Sequence, residues 1–379
     1  MAAPPPIRLG MVGGGEGAFI GAVHRTAARL DGQFALVAGA LASTPERARA
    51  SGQALGLAAD RVYDDFETMA AQEAAREDGV QAVAIVTPNH MHAAPACAFL
   101  DRGIHVICDK PLAATREDAR AIAEAAVRSD ALFVLTHNYT GYPMVRAARE
   151  LVASGALGQV RVVQVEYAQD WLTEPVANKQ ADWRSDPARA GAGAVGDIGT
   201  HAFNLAEFVT GLRVESLAAE LSSFVTGRKV DDNAHLMLRF DGGARGQLWA
   251  SQVAVGNENA LRLRVHGAKG GLEWEQEAPD RLWFTPYGEQ KRLMTRGGAG
   301  SGSAADRLTR IPAGHPEGYI EALANLYVEA ARAIRAHGDG GATPDVHFPT
   351  LGDGLRGMAF IDACLRSSAR DAAWTVLEP

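Results

Sequence analysis

The sequence predicts two domains: an α/β domain built on a parallel sheet, followed by an α+β domain whose open sheet is mostly antiparallel. A length of 379 residues exceeds a single ordinary hydrophobic core. The first part alternates short apolar runs with Ala-rich amphipathic stretches, which is typical of consecutive βα units. Beyond it, β-branched and aromatic segments are joined by glycine-containing turns, as in antiparallel sheets. We therefore expect domains at residues 1–138 and 139–379.

In the first domain, the predicted strands are Ile7–Val12, Phe34–Leu41, Ala82–Thr87, His105–Cys108 and Leu132–Thr136. Helix-start signals lie between them. Thr44-Pro45 places a capping residue before a proline at the first helical position, and Thr115 precedes acidic residues that suit a first turn. Gly103 is expected to end a helix that starts near Asn89.

In the second domain, a helix at about Met144–Ser154 precedes the predicted strands Val160–Tyr167, Ser216–Thr226, Ala234–Phe240, Ala244–Ser251 and Ala260–Gly267. Asp241-Gly242-Gly243 and Lys269-Gly270-Gly271 are typical of hairpin turns. The low-complexity stretch Arg296–Ala305 predicts a mobile surface loop. Two helices are expected near the C-terminal end, at about Glu317–Ala336 and Leu355–Ala369.

Composition and charge exclude several classes of protein. A net charge of −8 without a Lys/Arg-rich cluster argues against nucleic acid or an anionic membrane as a partner, and favours a small-molecule substrate. Three scattered cysteines fit neither a disulfide framework nor a zinc site, and the histidines form no compact metal-binding motif. We therefore expect no bound metal. Because no signal peptide and no apolar run of about 20 residues is visible, we also expect a cytoplasmic protein.

A glycine cluster, Gly13-Gly14-Gly15-Glu16-Gly17, follows the first predicted strand. Glycines in this place allow the backbone to approach a pyrophosphate at the next helix N-terminus, so they predict a Rossmann dinucleotide-binding domain. Gly13 and Gly15 match the fingerprint, whereas its third position falls on Ala18 or, with three inserted residues, on Gly21. The alternative is that the cluster only closes a turn. The backbone expected beside the pyrophosphate is that of Gly13, Gly15, Ala18, Phe19 and Ile20.

The end of the second predicted strand bears on the choice of nucleotide. An acidic residue there binds the ribose hydroxyls of NAD, and an arginine suits NADP. Here neither is present, and Ser43 and Thr44 are the candidates for the ribose. Arg47 either reaches a 2′-phosphate or is solvated on its helix. We expect NAD as the cofactor, with NADP left open.

Two further motifs follow strands of the predicted parallel sheet, Thr87-Pro88-Asn89-His90-Met91-His92 and Asp109-Lys110-Pro111. Ligands of open parallel sheets bind at the carboxyl ends of the strands. Both motifs are therefore expected in one crevice. The alternatives are that Asn89 caps a helix and that Lys110 is a surface lysine. The cofactor candidates in these motifs are Thr87, Pro88, Asn89, His92, Asp109 and Lys110.

Together with Gly191–His201 (GAGAVGDIGTH), these motifs resemble the Gfo/Idh/MocA family of sugar and inositol dehydrogenases. The resemblance covers essentially the whole chain. It implies that Lys110 lies near the nicotinamide and the reacting oxygen, that His201 transfers a proton, and that Asp197 orients substrate or lysine. Asp109 stands where the family commonly has Glu. The resemblance also implies a homodimer or homotetramer packed through the open sheet.

These residue types also suit the oxidation of an alcohol, independently of the resemblance. Removal of a hydride from a secondary alcohol requires loss of the hydroxyl proton, which a lysine or histidine can accept. A spacing of four places Asp197 and His201 on one face if a helix begins there. Taken singly, Asp197 could be a helix cap and His201 a buried, hydrogen-bonded histidine. Further substrate-binding candidates are His137, Tyr139, Trp171, Trp183, Arg184 and His315, each with packing or helix entry as the alternative.

The expected function is an NAD(P)-dependent dehydrogenase that removes a hydride from a ring secondary hydroxyl of a sugar, sugar derivative or inositol. Two alternatives stay open at this point. One is an NAD-dependent glycoside hydrolase that oxidises its sugar transiently, since the same residues would serve it. The other is a non-catalytic cofactor-binding regulator, against which the presence of Lys110, Asp197 and His201 argues.

Overall fold

A computed structural model describes residues 4–175, 186–341 and 344–378. The chain divides into two compact units. The first consists of Met1–Thr136 with Leu323–Gly354, and the second of His137–Ala322 with Leu355–Pro379. Each unit is described by itself.

The first unit contains a five-stranded parallel sheet with strand order β2-β1-β3-β4-β5. Its strands are β1 (Ile7–Gly13), β2 (Phe34–Ala40), β3 (Ala82–Val86), β4 (His105–Cys108) and β5 (Phe133–Leu135). All five residues of β3 are buried, because a central parallel strand is covered on both faces by helices. The predicted parallel α/β sheet is thus confirmed.

The helices that cover this sheet are α1 (Phe19–Leu30), α2 (Pro45–Ala54), α3 (Phe66–Ala75), α4 (Ala93–Leu100) and α5 (Arg116–Arg128). The predicted cap at Thr115 is confirmed, since its hydroxyl accepts a hydrogen bond from Asp118 N at 3.1 Å. Thr44 does precede a proline at the start of α2, but its side chain makes no capping bond. The helix expected from near Asn89 is split into a 3₁₀ turn, Asn89–Met91, and α4.

The second unit contains a nine-stranded sheet with strand order β13-β12-β11-β10-β6-β9-β8-β7-β14. Only β6 and β9 pair in parallel, so the sheet is mixed and mostly antiparallel, as predicted. Its strands are β6 (Val160–Ala168), β7 (Val214–Ser222), β8 (Asn233–Phe240), β9 (Arg245–Ser251), β10 (Ala260–Gly267), β11 (Gly270–Glu275), β12 (Arg281–Pro286), β13 (Arg292–Thr295) and β14 (Thr375–Val376).

Further helices are α6 (Pro143–Ala153), α7 (Pro187–Ala190), α8 (Thr200–Thr210), α9 (Ser303–Asp306), α10 (Tyr319–Gly338) and α11 (Leu351–Ser368). A π-helical turn, Val195–Gly199, leads directly into α8. The rings of Phe203 on α8 and Phe360 on α11 stack at 4.4 Å between centroids. This contact holds α8 within the core of the second unit.

The prediction of a surface loop at Arg296–Ala305 is wrong at both ends, because Arg296 is buried and the helix α9 begins at Ser303. The Arg296 side chain is only 1% exposed and forms ion pairs with Asp280 at 2.8 Å and Glu317 at 2.9 Å. Composition predicted a loop because glycine and serine dominate the stretch, but one buried charged residue anchors it. Such a buried guanidinium is tolerated because carboxylates surround it.

Among the helices that the structure describes, none combines the length and the apolar character needed to cross a membrane.

Candidate active site

The glycine cluster after β1 forms a tight turn against α1. Gly13 and Gly14 have positive φ angles of 78° and 72°, a conformation that favours glycine. A Cβ atom added at Gly21 would lie 2.4 Å from the Gly14 Cα atom. Gly21 therefore provides the close helix packing of the third fingerprint glycine, and Ala18 is instead the residue that precedes the helix.

The N-terminus of α1 suits an anion. Among the described residues, no side chain caps this helix, and its first turn contains no acidic residue. The first N–H groups of a helix have no intrahelical partner and carry the positive end of the helix dipole. Phe19, the first residue of the helix, is 62% exposed.

Hydrogen bonds tie the glycine turn to the segment that follows β2. Gly15 N donates to Leu41 O at 3.1 Å, and Glu16 N donates to the Ser51 hydroxyl at 3.0 Å. A Cβ atom at Gly15 would lie 2.6 Å from Leu41 O, so a larger residue would displace the turn. Sequence reasoning missed Ser51, because a serine inside a helix gives no signal of this contact. Ser43, Thr44 and Arg47 are exposed at the same end of the sheet.

His92 joins the two loops that follow β3 and β4. Its ring is fully buried, with Nδ1 2.9 Å from Pro111 O and Nε2 2.9 Å from Thr87 O. Burial lowers the pKa of His92 although both carbonyl contacts favour the charged form. His92 thus fixes the position of these two loops, and the motifs in the sequence gave no sign of this bridging role.

The Asp109-Lys110-Pro111 segment is held by the side chain of its first residue. Asp109 Oδ1 accepts hydrogen bonds from Lys110 N at 2.9 Å and from the Thr136 hydroxyl at 3.2 Å. Lys110 is half-buried, and the peptide bond to Pro111 is cis. Asn89 is buried near the end of β3. The lysine is thus fixed at its backbone, at the carboxyl end of β4.

A buried histidine on α1 also lies in the field of Asp109. His24 Nδ1 is 2.9 Å from the Tyr327 hydroxyl, and its Nε2 atom has no hydrogen-bond partner among the described residues. Burial lowers the pKa of His24, and the negative charge of Asp109 partly opposes this. Sequence reasoning missed this pair because 303 residues separate its two members.

In the second unit, the π-helical turn carries Asp197 and the first turn of α8 carries His201. His201 is only 7% exposed. Its Nδ1 atom lies 3.4 Å from Nδ1 of His137, and its ring meets the edge of Tyr139 at 4.7 Å between centroids. Two predicted substrate-binding residues thus gather around a predicted catalytic one.

Phenol and amide groups extend this cluster. The hydroxyls of Tyr139 and Tyr167 are hydrogen-bonded to each other, and the Tyr167 hydroxyl donates to Asn259 Oδ1 at 2.7 Å. Burial raises the pKa of both phenols, which therefore stay neutral at physiological pH. Tyr167 lies in a β-strand, where a buried aromatic residue is ordinary, so the sequence gave no signal for it.

Asp197 is held by an amide from the end of β9. Gln252 Nε2 donates to Asp197 Oδ2 at 2.9 Å, and the Gln252 side chain is buried. A hydrogen bond to an ionised carboxylate fixes the direction in which its other oxygen points. Gln252 was not among the residues predicted from the sequence.

The remaining predicted substrate-binding residues differ in position. Trp171 Nε1 donates to Gln169 Oε1 at 3.1 Å, and Gln169 in turn donates to Asn259 at 2.7 Å, which connects the indole to the phenol network. His315 is exposed in the turn before α10, with its ring 3.3 Å from Pro312 O. Trp183 and Arg184 lie outside the described residues.

Comparison with known proteins decides the family. Residues 7–137 match the oxidoreductase family with an NAD-binding Rossmann fold, and residues 145–273 match the GFO/IDH/MocA C-terminal domain. The chain belongs to the Gfo/Idh/MocA family. The predicted family is thus confirmed, and the first unit contains an NAD-binding Rossmann fold.

Several solved structures and curated members of the family are similar over nearly their whole length. An oxidoreductase from Sinorhizobium meliloti is 60% identical, with 98% of this chain and 99% of that chain covered and a TM-score of 0.90. An inositol dehydrogenase homolog from Azotobacter vinelandii, complexed with NADH and myo-inositol, is 37% identical, with 98% of each chain covered and a TM-score of 0.93. The levoglucosan dehydrogenase of Pseudarthrobacter phenanthrenivorans is 28% identical over 97% of both chains.

Proposed function

We propose that this Gfo/Idh/MocA oxidoreductase is a dehydrogenase that transfers a hydride from a ring secondary hydroxyl of a sugar, sugar derivative or inositol to a nicotinamide. The observation that carries the proposal is the cluster around His201, where a buried imidazole lies beside His137 and the phenols of Tyr139 and Tyr167, which also feel the charge of Asp197. Hydroxyl and imidazole groups suit the recognition of a polyhydroxylated ring. The similar proteins named for myo-inositol and levoglucosan support the same substrate class.

The proposed catalytic residues are Lys110, Asp197 and His201. His201 accepts the hydroxyl proton, because a neutral imidazole is a suitable base near neutral pH. Asp197, oriented by Gln252, directs the substrate or the lysine. Lys110 assists at the reacting oxygen, and Asp109 fixes its backbone.

The residues present fit a dinucleotide. Added Cβ atoms at Gly13, Gly15 and Gly21 would meet neighbouring atoms at 2.9 Å or less, so only glycine allows the tight turn that a pyrophosphate-binding loop requires here. Uncapped N–H groups of α1, at Phe19 and Ile20, would hold the pyrophosphate. When bound, the nicotinamide supplies a carbon that accepts the hydride.

For the same cradle, we propose NAD as the preferred cofactor. Ser43 and Thr44 are exposed after β2 and are suitable partners for ribose hydroxyls. The further proposed contacts are those of Thr87, Pro88, Asn89 and Asp109, and the fully buried His92 is proposed to act through the two loops that it joins. Tighter binding of NAD than of NADP in a titration of the purified protein would support this assignment, and the reverse order would contradict it.

We further propose that residues 1–138 serve the cofactor, that residues 139–379 serve the substrate and self-association, and that the protein is a homodimer or homotetramer. The outward face of the nine-stranded sheet supports the last point. Along β8 its residues alternate between buried and exposed, and Met237 on the outer face is 56% exposed. Apolar surface of this kind commonly packs against a partner.

The function is tested by following absorbance at 340 nm with either nucleotide and a panel of pyranoses, anhydrosugars and inositols. Substrate-dependent formation of reduced nucleotide with at least one polyol is expected. Saturable nucleotide binding without turnover of any panel member would contradict the proposed substrate class. Release of an aryl group from a glycoside without net reduced nucleotide would indicate the hydrolase instead.

A further inference from the structure

The backbone that leads into the π-helical turn is bound by one buried carboxylate. Asp231 Oδ1 accepts a hydrogen bond from Gly193 N at 2.8 Å, and its Oδ2 accepts one from Val195 N at 2.7 Å. The backbone oxygen of Asp231 accepts a third bond, from Ala194 N at 2.9 Å. Three consecutive amides are thus held by a single residue.

The contact between these two segments leaves no space for a side chain. A Cβ atom added at Gly193 would lie 1.8 Å from the backbone oxygen of Asp231. Gly193 O in turn accepts hydrogen bonds from Gly196 N at 3.1 Å and from Asp197 N at 2.9 Å. Asp231 therefore acts on the backbone of Asp197 through a single intervening residue.

The neighbouring residue, Asp232, acts on the side chain of Asp197. Its backbone oxygen accepts a hydrogen bond from Gln252 N at 2.9 Å, and the Gln252 side chain donates to Asp197 Oδ2 at 2.9 Å. Asp232 is itself fixed, since its carboxylate accepts from Phe224 N at 2.9 Å and pairs with Arg228 at 3.3 Å. The dipeptide Asp231-Asp232 thus fixes both the backbone and the carboxylate of Asp197, each through one intervening residue.

We propose that Asp231 and Gln252 are positioning residues, which fix the backbone and the carboxylate of Asp197 for the hydride-transfer reaction. The proposal rests on the proposed function, because it takes Asp197 as catalytic. A π-helical turn widens the helix for a single turn, and such turns need outside support and are frequent at functional sites. Displacement of a reacting group by about 1 Å can lower a rate by about 10²-fold.

The proposed role of Gln252 is tested with three variants of the full-length protein. Gln252→Leu removes the donor, Gln252→Glu replaces it with a carboxylate of the same shape, and Gln159→Leu is the control at an exposed glutamine. We expect kcat to fall about 10- to 100-fold in the first two variants, with the Kd for NADH within twofold of wild type. Gln159→Leu should match wild type.

The pH dependence separates positioning from packing. In Gln252→Glu, a protonated carboxyl regains an O–H donor toward Asp197, so kcat relative to wild type should rise as the pH falls from 8 to 5. In Gln252→Leu, the same ratio should stay constant. Equal losses in the two variants without this difference, or wild-type kcat in both, would overturn the role of Gln252.

The proposed role of Asp231 is tested without any substrate, by hydrogen exchange of the backbone amides. In Asp231→Asn, the amide NH₂ group faces one of two N–H donors, so at least one bond is lost. We expect the amides of residues 193–201 to exchange faster in this variant than in wild type. In the control Asp241→Asn, whose carboxylate accepts from Arg213 N in another turn, their exchange rates should match wild type. Unchanged exchange in both variants would overturn the proposal, whereas faster exchange in Asp231→Asn of a protein that turns over no polyol would support the hold of Asp231 on this backbone and reject the proposed function.

Discussion

His201 is the residue on which the proposed chemistry depends most, because its buried imidazole lies between the His137 imidazole and the Tyr139 ring. His201→Ala should lower kcat by about 10²- to 10⁴-fold with a much smaller change in the Kd for NADH. His266→Ala is the matched control, since His266 is exposed on β10 of the same unit. Steady-state kinetics with the best polyol measures both variants, and loss of activity in His266→Ala to the same degree would remove the special role of His201.

A second prediction at this scale concerns Asp231 and the pH dependence of the free energy of unfolding. Burial raises its pKa to about 6, although the N–H groups of Gly193 and Val195 lower it. The folded protein therefore binds a proton at Asp231 more tightly than the unfolded chain does. The contribution of Asp231 to the free energy of unfolding is therefore highest below about pH 4 and decreases as the pH rises through 6. The total decrease is about 3 kcal/mol.

This contribution is measured against Asp231→Asn, which cannot titrate at this position. The free energy of unfolding of the wild type minus that of the variant, from urea titrations, should decrease between pH 4 and pH 7 and then stay level. Asp232 and Cys364 are the neighbouring acidic groups of Asp231 and are present in both proteins. A difference that increases with pH would show that the two backbone N–H groups, and not burial, dominate at Asp231.

At the scale of the elements, two threonines with similar sequence contexts differ in the structure. Thr115 caps α5 through its hydroxyl, whereas Thr44 precedes α2 without a side-chain bond. Thr115→Ala should lower the free energy of unfolding by about 1 kcal/mol, and Thr44→Ala by less than half of that. Urea unfolding without cofactor provides the measurement. Equal losses would contradict the assigned caps.

The elements also show what could be predicted from the sequence. Alternating apolar runs predicted β1 to β10 within about four residues at each end, because burial on a sheet face determines such patterns. The strands β11 to β13 were missed, because Gly270-Gly271 was interpreted as a turn and β13 consists largely of exposed residues. Pairing with a neighbouring strand, which a local pattern does not contain, keeps these segments extended.

The candidate site was predictable where a motif is continuous in the chain. Lys110, Asp197 and His201 were proposed because they lie in continuous motifs that carry the family resemblance, as does the glycine turn, although only the structure identifies Gly21 as its third glycine. Ser51, Tyr167 and Gln252 were missed because each reaches its partner across at least 28 residues of sequence. Ordinary residue types at ordinary strand and helix positions carry no sign of such contacts.

At the scale of the whole molecule, the outer face of the nine-stranded sheet predicts self-association. His235 and Trp249 stack on this face next to Met237. Light scattering should give the mass of a dimer or tetramer, and Met237→Glu should shift it toward the monomer because the new charges would face each other. Val127→Glu is the control, since Val127 is exposed on α5 of the first unit. A wild-type mass of a single chain would contradict the proposed assembly.

The central claim is that a hydride leaves a ring carbon and reaches the nicotinamide. It is tested most directly with a polyol deuterated at the reacting carbon and oxidised nicotinamide dinucleotide, with the reduced nucleotide analysed by mass spectrometry. The account predicts one deuterium atom in each reduced nucleotide and a lower rate than with the protiated polyol. Reduced nucleotide without deuterium, for every ring position labelled, would contradict it.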